Sequence, residues 1–264
     1  KNREMYDMKS VIAVVAVLFA ALCCTPVGAK DRAYAAVWDS ANTAYIGADY
    51  EAAIKNYEQL LDSGYESARL YFNLGNAYFK KGMNGHAILN YNKALKLAPG
   101  NDDIRYNLSL ANAYVQDKIE EVPVFFLKRW LIDLGNRLSG NTWAVLSLVF
   151  FALLLIGVGT YLLLRRMMWQ KVGFYGAIVS ALLFVVSVVY ASVDRKAQLN
   201  PTEAIVMASA APVKSSPDEG SKDIFVLHEG TKVRVEGSLG EWREIRIADG
   251  NKGWVEVASI EMID

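Results

Sequence analysis

Residues 68–101 read ARLYFNLGNAYFKKGMNGHAILNYNKALKLAPGN, and this stretch decides the architecture of the first half of the chain. A shift of 34 residues along the sequence superposes identical side chains. The superposed pairs are Asn42 with Asn76, Ala53 with Ala87, Ile54 with Ile88, Asn56 with Asn90, Tyr57 with Tyr91 and Leu61 with Leu95. A period of this length corresponds to one helix-turn-helix unit. The sequence therefore predicts a stack of paired helices.

The second copy has small residues where two helices must approach closely and large residues where a seam must be filled. These residues are Leu74, Gly75, Tyr78, Ala87, Tyr91 and Ala94, followed by the helix-ending Pro99. In order and spacing they resemble the tetratricopeptide repeat. The resemblance implies two repeats, residues 34–67 and 68–101, of which the first is the looser match. A third copy begins but meets Glu121 and Pro123, so we predict a lone closing helix over residues 102–119.

In such a stack the first helix of each pair lines a concave groove. The residues predicted to face it are Trp38, Asn42, Tyr45, Asn73, Asn76, Lys80 and Asn107. Amides can hydrogen-bond an extended peptide, and aromatic rings offer contact area. An alternative interpretation places Trp38 and Tyr45 mostly in the core and leaves the asparagines solvated. A terminal carboxylate is not the predicted ligand, because repeats that bind one carry basic residues at positions that are here Trp38, Asp103 and Asn107.

The N-terminal segment, residues 1–29, has the pattern of a secretory signal peptide. Its apolar run, residues 11–22, is too short to cross about 30 Å of hydrocarbon as a helix. We expect cleavage after Ala29 and regard residues 1–7 as an upstream extension. A lipoprotein modified at Cys23 and an uncleaved anchor stay open as alternatives. Because Cys23 and Cys24 are the two cysteines of the chain, cleavage would leave no thiol for a disulfide or a nucleophile.

Two uncharged runs, residues 142–164 and 172–193, are each long enough to cross a bilayer. The basic residues of the link between them, residues 165–171, favour a cytoplasmic loop. Charge alone leaves the orientation open, because basic residues also flank the outer ends of both runs, and the predicted signal peptide decides it. The two runs therefore predict a transmembrane hairpin that returns the chain to the side on which it started. The small residues predicted to let the two helices pack closely are Gly157, Gly173, Ala177 and Ser180. Neither run contains an ionisable residue, which favours a packed pair over a pore.

Residues 123–138, between the repeats and the first span, separate basic and apolar side chains onto two helical faces. This pattern predicts an amphipathic helix that lies in the membrane surface, with its basic residues at the lipid headgroups. Packing of the apolar face against the closing helix of the repeats is the alternative.

The last segment, residues 202–264, changes from helical to strand-like patterning, with five short apolar runs divided by Gly and Asp turns. The stretch from Gly240 to Val255 resembles the bacterial SH3-like domain, which implies a small barrel. Alternation favours the barrel core for Phe225 and Trp254, and leaves Trp242 as the candidate surface residue.

The composition argues against several other classes of protein. With 28 basic and 28 acidic side chains the net charge is zero, so we predict no nucleic-acid partner. The two histidines, His86 and His228, have no ligand-spaced cysteines or carboxylates beside them, so no metal site is predicted. The chain has no phosphate-binding loop, nucleophile elbow or metalloprotease helix. We therefore expect no catalytic residue and no cofactor, and we predict a protein that is not an enzyme.

Taken together, the sequence predicts a multidomain membrane protein with all-α tetratricopeptide repeats, a transmembrane hairpin and a small all-β SH3-like barrel. This order of domains resembles the E component of the Bacteroides aerotolerance (BatE) family. The resemblance implies a multi-pass protein of the bacterial cytoplasmic membrane, with repeats and barrel facing the periplasm. It also implies partners, which are membrane-anchored von Willebrand A-type proteins and a MoxR-type ATPase. The predicted function is a scaffold of an envelope complex linked to stress or aerotolerance. A cell-wall sensor whose barrel binds peptidoglycan or a periplasmic peptide is the alternative.

Overall fold

The structure is a computed structural model that describes residues 29–120 and 122–264, with side chains described from residue 34 onward. The predicted upstream extension lies outside the described residues, as does the predicted signal peptide up to residue 28. Both stay predictions. The repeat region comprises α1 (Ala29–Ile46), α2 (Tyr50–Asp62), α3 (Ala68–Lys80), α4 (Asn84–Leu97) and α5 (Asp102–Ala113).

Three of the repeat helices begin at a side chain that caps their first turn. The caps are Asp49 of α2, Ser67 of α3 and Asn101 of α5, which accept hydrogen bonds from backbone N–H groups two or three residues inside each helix. Such caps satisfy donors that the first turn of a helix leaves unpaired. Helix α4 follows Met83 and has no cap of this kind within its own repeat.

The repeats form one apolar core in which small residues allow close helix contacts. Ala53 and Ala87 are fully buried, and the rings of Tyr57 and Tyr91 are each only 1% exposed. A Cβ atom on Gly75 would lie 2.7 Å from the ring of Tyr91, so only glycine fits between α3 and α4. The turns between paired helices are also equivalent. Gly82 and Ala48, which are 34 residues apart, both have a left-handed backbone, with φ +82° and 60°.

The closing helix is shorter than the sequence predicts. Helix α5 ends at Ala113 rather than at residue 119. The residues that follow leave the helix and run to the C-terminal domain. There Val115 is buried, and Asp117 accepts a hydrogen bond from the His228 backbone N–H. Contacts made with a distant domain therefore end α5, and no glycine or proline in the sequence marks this point.

Helices α7 (Gly140–Leu163) and α8 (Met167–Leu199) form the hairpin, and both are long and apolar enough to cross a membrane. Helix α8 begins at Met167, inside the predicted loop 165–171, and continues past residue 193. Only residues 164–166 separate the helices. The intervening Met, Trp and Gln are compatible with a helix, and no glycine or proline interrupts them. The described part of the chain contains two helices of this kind, which form one hairpin. Further membrane spans have no support there.

The two hairpin helices meet at the small residues that the sequence singled out. A Cβ on Gly157 would lie 2.9 Å from the backbone nitrogen of Ala177, and a Cβ on Gly173 would lie 2.7 Å from the carbonyl oxygen of Gly157. Ser180 is buried at the same contact. Glycine at these positions lets the two backbones approach closely, which is how apolar helices associate without a hydrophobic driving force.

Helix α6 (Phe126–Gly135) is shorter than the predicted 123–138, since Pro123 and its neighbours stay extended. Its backbone is attached to the hairpin: Tyr190 donates to the carbonyl oxygen of Leu131 at 3.0 Å, and Trp143 donates to that of Gly135 at 3.1 Å. The apolar side chains are not covered by α5, and the Phe126 side chain is 74% exposed. This arrangement favours the membrane-surface interpretation over packing against the repeats.

The C-terminal domain is a seven-stranded antiparallel sheet in the order β3-β2-β6-β5-β4-β1-β7. Its strands are β1 (Glu203–Val206), β2 (Ala210–Lys214), β3 (Asp223–His228), β4 (Lys232–Leu239), β5 (Trp242–Arg246), β6 (Lys252–Glu256) and β7 (Ile260–Met262). The sequence predicted five of these. It missed β7, which has only three residues, and β2, where Pro212 argues against a strand.

Candidate functional site: an amide-lined groove beside a docked barrel

The predicted groove residues lie on the first helices of the repeats. Trp38, Asn42 and Tyr45 are spaced i, i+4, i+7 on α1, and Asn73, Asn76 and Lys80 are spaced i, i+3, i+7 on α3. Asn107 follows on α5. These spacings place each set on one helical face.

The four asparagines form two equivalent pairs. Asn73 Nδ2 donates to Asn42 Oδ1 at 3.3 Å, and Asn107 Nδ2 donates to Asn76 Oδ1 at 2.8 Å. The same two acceptors receive the hydroxyl groups of Tyr57 and Tyr91, each at 2.8 Å. Burial raises the pKa of both phenols, so they remain protonated donors. The asparagines therefore join neighbouring repeats, a structural role that the sequence alone did not indicate.

In each pair one amide nitrogen and one amide oxygen take no part in these bonds. Among the described residues, Nδ2 of Asn42 and Asn76 and Oδ1 of Asn73 and Asn107 make no hydrogen bond. All four side chains are only partly buried. The unused NH2 group and the unused carbonyl of each pair match the acceptor and the donor that an extended peptide backbone presents at each residue.

The aromatic groove residues are partly structural. Trp38 packs edge-on against Tyr57, and Tyr45 packs edge-on against Tyr50, with both groove rings half-buried against the core. The structure adds Arg69, whose guanidinium lies 5.1 Å from the centre of the Trp38 ring. Arg69 precedes Asn73 by one helical turn, a spacing that could have indicated a cation on this face.

The Asp117 carboxylate is one of the groups through which the SH3-like domain docks on the repeats. Its Oδ2 accepts the His228 backbone N–H at 2.7 Å and the Thr231 hydroxyl at 2.6 Å, while Oδ1 lies 2.7 Å from His228 Nδ1. The Asp117 side chain is 12% exposed. We call these three residues the clasp. No pattern in the sequence indicated Asp117 or Thr231. His228 was assessed only as a possible metal ligand.

Further contacts extend the docking surface along α4. Glu229 Oε1 accepts the Gly85 backbone N–H at 2.7 Å, so a barrel residue caps the helix that has no cap of its own. Lys93 forms an ion pair with Asp264 at 2.7 Å, and Lys96 donates to the Ile263 carbonyl oxygen at 2.9 Å. Ile205 and Ile263 of the barrel join the apolar core of the repeats. Because α4 is the second helix of its pair, these contacts leave the groove uncovered.

The clasp predicts a pH dependence of stability. Burial raises the pKa of Asp117, but hydrogen bonds from Thr231 and His228 lower it by more, and the net pKa lies below its usual value. The stabilisation is therefore complete above the unfolded-state pKa of about 3.9 and is lost as the pH falls through the lower folded-state pKa. We expect the full chain to have a higher thermal midpoint than the Asp117→Asn variant at pH 7, and the difference to shrink below about pH 4. A difference that does not change with pH would contradict this role, since the other carboxylates titrate alike in both proteins.

The outward face of the barrel carries tryptophans and carboxylates in alternation. Gly253 and Val255 point into the core, so Trp254 points outward, and its predicted core position is wrong. Phe225 packs against the core as predicted. Trp254 lies opposite Glu244, and Trp242 lies opposite Glu256. The partly buried Trp242 is therefore one of two tryptophans on this surface.

Comparisons with known families agree with this architecture. Residues 68–101 match the tetratricopeptide repeat model, residues 42–82 match a second model described as TPR repeat, and residues 209–261 match the bacterial SH3 domain. A search of curated proteins gave no significant match. The chain thus joins tetratricopeptide repeats to a bacterial SH3-like domain through two apolar helices. Both domain types are binding modules, which implies protein partners. Within the described residues no group of three or more His, Cys, Asp or Glu side chains is placed to hold a metal ion.

Proposed function

We propose that this chain is a membrane-anchored scaffold, and not an enzyme, whose groove binds an extended segment of a partner protein. The observation that carries this proposal is the row of unpaired amide groups at Asn42, Asn73, Asn76 and Asn107, which the docked barrel leaves accessible. The seam between the repeats uses the oxygens of Asn42 and Asn76 and one N–H group each of Asn73 and Asn107. The groups left over can therefore bind a ligand without loss of repeat packing.

A pair of asparagine substitutions tests the groove. In Asn73→Leu/Asn107→Leu the acceptors for Tyr57 and Tyr91 remain, while the two free carbonyls of the groove and the two hydrogen bonds from Asn73 and Asn107 are lost. At about 1 kcal/mol for each of the two lost hydrogen bonds to the partner, we expect recovery of the partner to fall about 30-fold. The measurement is crosslinking in intact cells, affinity capture of the full chain and quantitative mass spectrometry.

The control for this experiment makes the same chemical change outside the groove. Asn56 lies on α2, and Asn112 is exposed on α5 away from the asparagine pairs. Asn56→Leu/Asn112→Leu should leave the set of captured proteins unchanged. Equal loss in both double variants would mean that the substitutions act on folding, and equal recovery in both would remove the groove from the proposal.

We place the protein in the bacterial cytoplasmic membrane, with α7 and α8 as spans and both binding domains facing the periplasm. The direct contact between barrel and repeats supports a common side for the two domains, as a hairpin requires. The basic residues around the turn, Arg165, Arg166 and Lys171, support a cytoplasmic turn. By resemblance to the BatE family, the partners would be von Willebrand A-type proteins and a MoxR-type ATPase, in an envelope complex linked to aerotolerance or stress.

A second candidate function rests on the outward face of the barrel. Trp242 and Trp254 alternate with Glu244 and Glu256 on neighbouring strands, and rings beside carboxylates suit a ligand with cationic groups. Such a ligand could be a peptide or the peptide portion of the cell wall, which would make the barrel a sensor. We expect Trp254→Ala to abolish co-sedimentation of the full chain with purified peptidoglycan, while Trp169→Ala, at the hairpin turn, retains it. Equal co-sedimentation of both variants would count against this face.

A further inference from the structure

The first helix of each repeat has one site that a tyrosine of the second helix fills. On α3 the site consists of Phe72, Gly75 and Asn76: the Phe72 ring lies 6.0 Å from that of Tyr91, Gly75 lies under the same ring, and Asn76 accepts its hydroxyl. On α1 the equivalent residues are Trp38, Ala41 and Asn42, and Tyr57 fills the site in the same way. The chain thus shows this site occupied twice.

On α5 the equivalent residues are Tyr106, Ser109 and Leu110, which we call the terminal face. Within the described part of the chain no second helix covers these residues, since Tyr106 and Leu110 are 69% and 39% exposed. A helix that ends a repeat array needs a polar outer face for solubility. Here the asparagine of the two inner sites is replaced by leucine, so the end of the stack is more apolar than its interior counterparts.

We infer that the terminal face docks an amphipathic helix of a partner protein, which completes a third helix pair. The contact between α3 and α4 indicates how this helix lies: antiparallel to α5, with an aromatic ring over Ser109. Asp103 in the first turn of α5 would then meet its C-terminal end, so a basic residue is expected there, whereas Asp102 already pairs with Arg105. This contact is separate from the groove and gives the scaffold a second protein-binding surface.

Two occupants from the chain itself fit less well. The second helices of another copy are already used, since Tyr57 and Tyr91 are each 1% exposed within their own repeats. Helix α6 of the same chain contacts α5 at its C-terminal end, where Arg105 donates to the Asn136 carbonyl oxygen at 3.3 Å, but the carbonyl groups of Leu131 and Gly135 attach it to the hairpin. The acidic first turn of α5 also favours a basic protein helix over an anionic lipid surface.

The test is a photocrosslinker, p-benzoylphenylalanine, placed at Tyr106 of the full chain in the cells that produce it, with the same group at Lys55 on α2 as the control. The expected result is a crosslink from position 106 to a segment of another protein that has an amphipathic helical sequence with a basic C-terminal end. Adding Leu110→Glu should reduce its yield at least tenfold, while Lys55→Glu should not.

Any of four results would overturn the proposal: a crosslink to residues 126–138 of the same chain, to a second copy, to lipid alone, or no product above that from position 55. The groove variant Asn73→Leu/Asn107→Leu should leave the crosslink at position 106 in place. Leu110→Glu should likewise leave capture through the groove unchanged. The two experiments therefore test the groove and the terminal face independently, and one proposal can fail while the other holds.

Discussion

Substitution of Gly75 by leucine is expected to unfold the second repeat. Already a Cβ atom at this position would lie 2.7 Å and 2.8 Å from two carbon atoms of the Tyr91 ring and 3.3 Å from the carbonyl oxygen of Ala87. The ring is held between Phe72 and the acceptor Asn76, so it has no free direction in which to move. Overpacking of this kind costs about 3 kcal/mol, and a side chain as large as leucine can cost more.

Hydrogen exchange on the full chain measures this loss locally. We expect the amide protection of α3 and α4 to fall by a factor of about 100 or more, because each 1.4 kcal/mol corresponds to tenfold. Gly159→Leu is the matched control, since a Cβ there meets no atom within 4 Å. Unchanged protection in Gly75→Leu would show that α3 and α4 can separate without cost, which contradicts the close helix contact described above.

Substitution of Asp117 by alanine should release the barrel from the repeats. The variant would leave the Thr231 hydroxyl and the His228 backbone N–H without their acceptor, and Thr231 is only 5% exposed. A buried donor left unsatisfied costs about 1–3 kcal/mol, so the two together correspond to about 3 kcal/mol of docking free energy.

The readout for the clasp is again amide exchange, now over residues 223–232. We expect their protection to fall at least tenfold in Asp117→Ala, while the central barrel strands β5 and β6 stay protected. Asp62→Ala is the control, because this carboxylate lies at the exposed end of α2, far along the chain from the clasp. If β5 and β6 lost protection to the same extent, Asp117 would be needed for folding of the barrel and not only for its docking.

The docked barrel supports the helices that carry the proposed groove. Since Glu229 caps α4, and α4 packs on α3, the barrel supports the helix pair that presents Asn73 and Asn76. In the proposed scaffold, these contacts would hold the groove and the barrel face in a fixed arrangement. Two ligands bound to these surfaces would therefore be held at a set separation.

Much of the fold could be predicted because its signals are local or periodic. Capping residues such as Ser67 and Asn101 precede their helices directly, and the uncharged runs of α7 and α8 need no partner to be recognised. The groove positions follow from the same period, since Asn42 and Asn76 are one repeat apart. Where the prediction was wrong, as at the end of α5 and at Trp254, the outcome depended on packing between segments far apart in sequence.

By itself, the sequence determined the repeats, the two apolar helices and the SH3-like domain, because each is encoded by a spacing within a few tens of residues. Only the tertiary structure decided how these parts fit together. Asp117 and His228 are 111 residues apart, and Gly85 and Glu229 are 144 residues apart. No periodicity connects such residues, and their pairing arises only when two folded surfaces meet. The asparagine pairs have the same origin, because neighbouring helices must stack before one amide can reach the next.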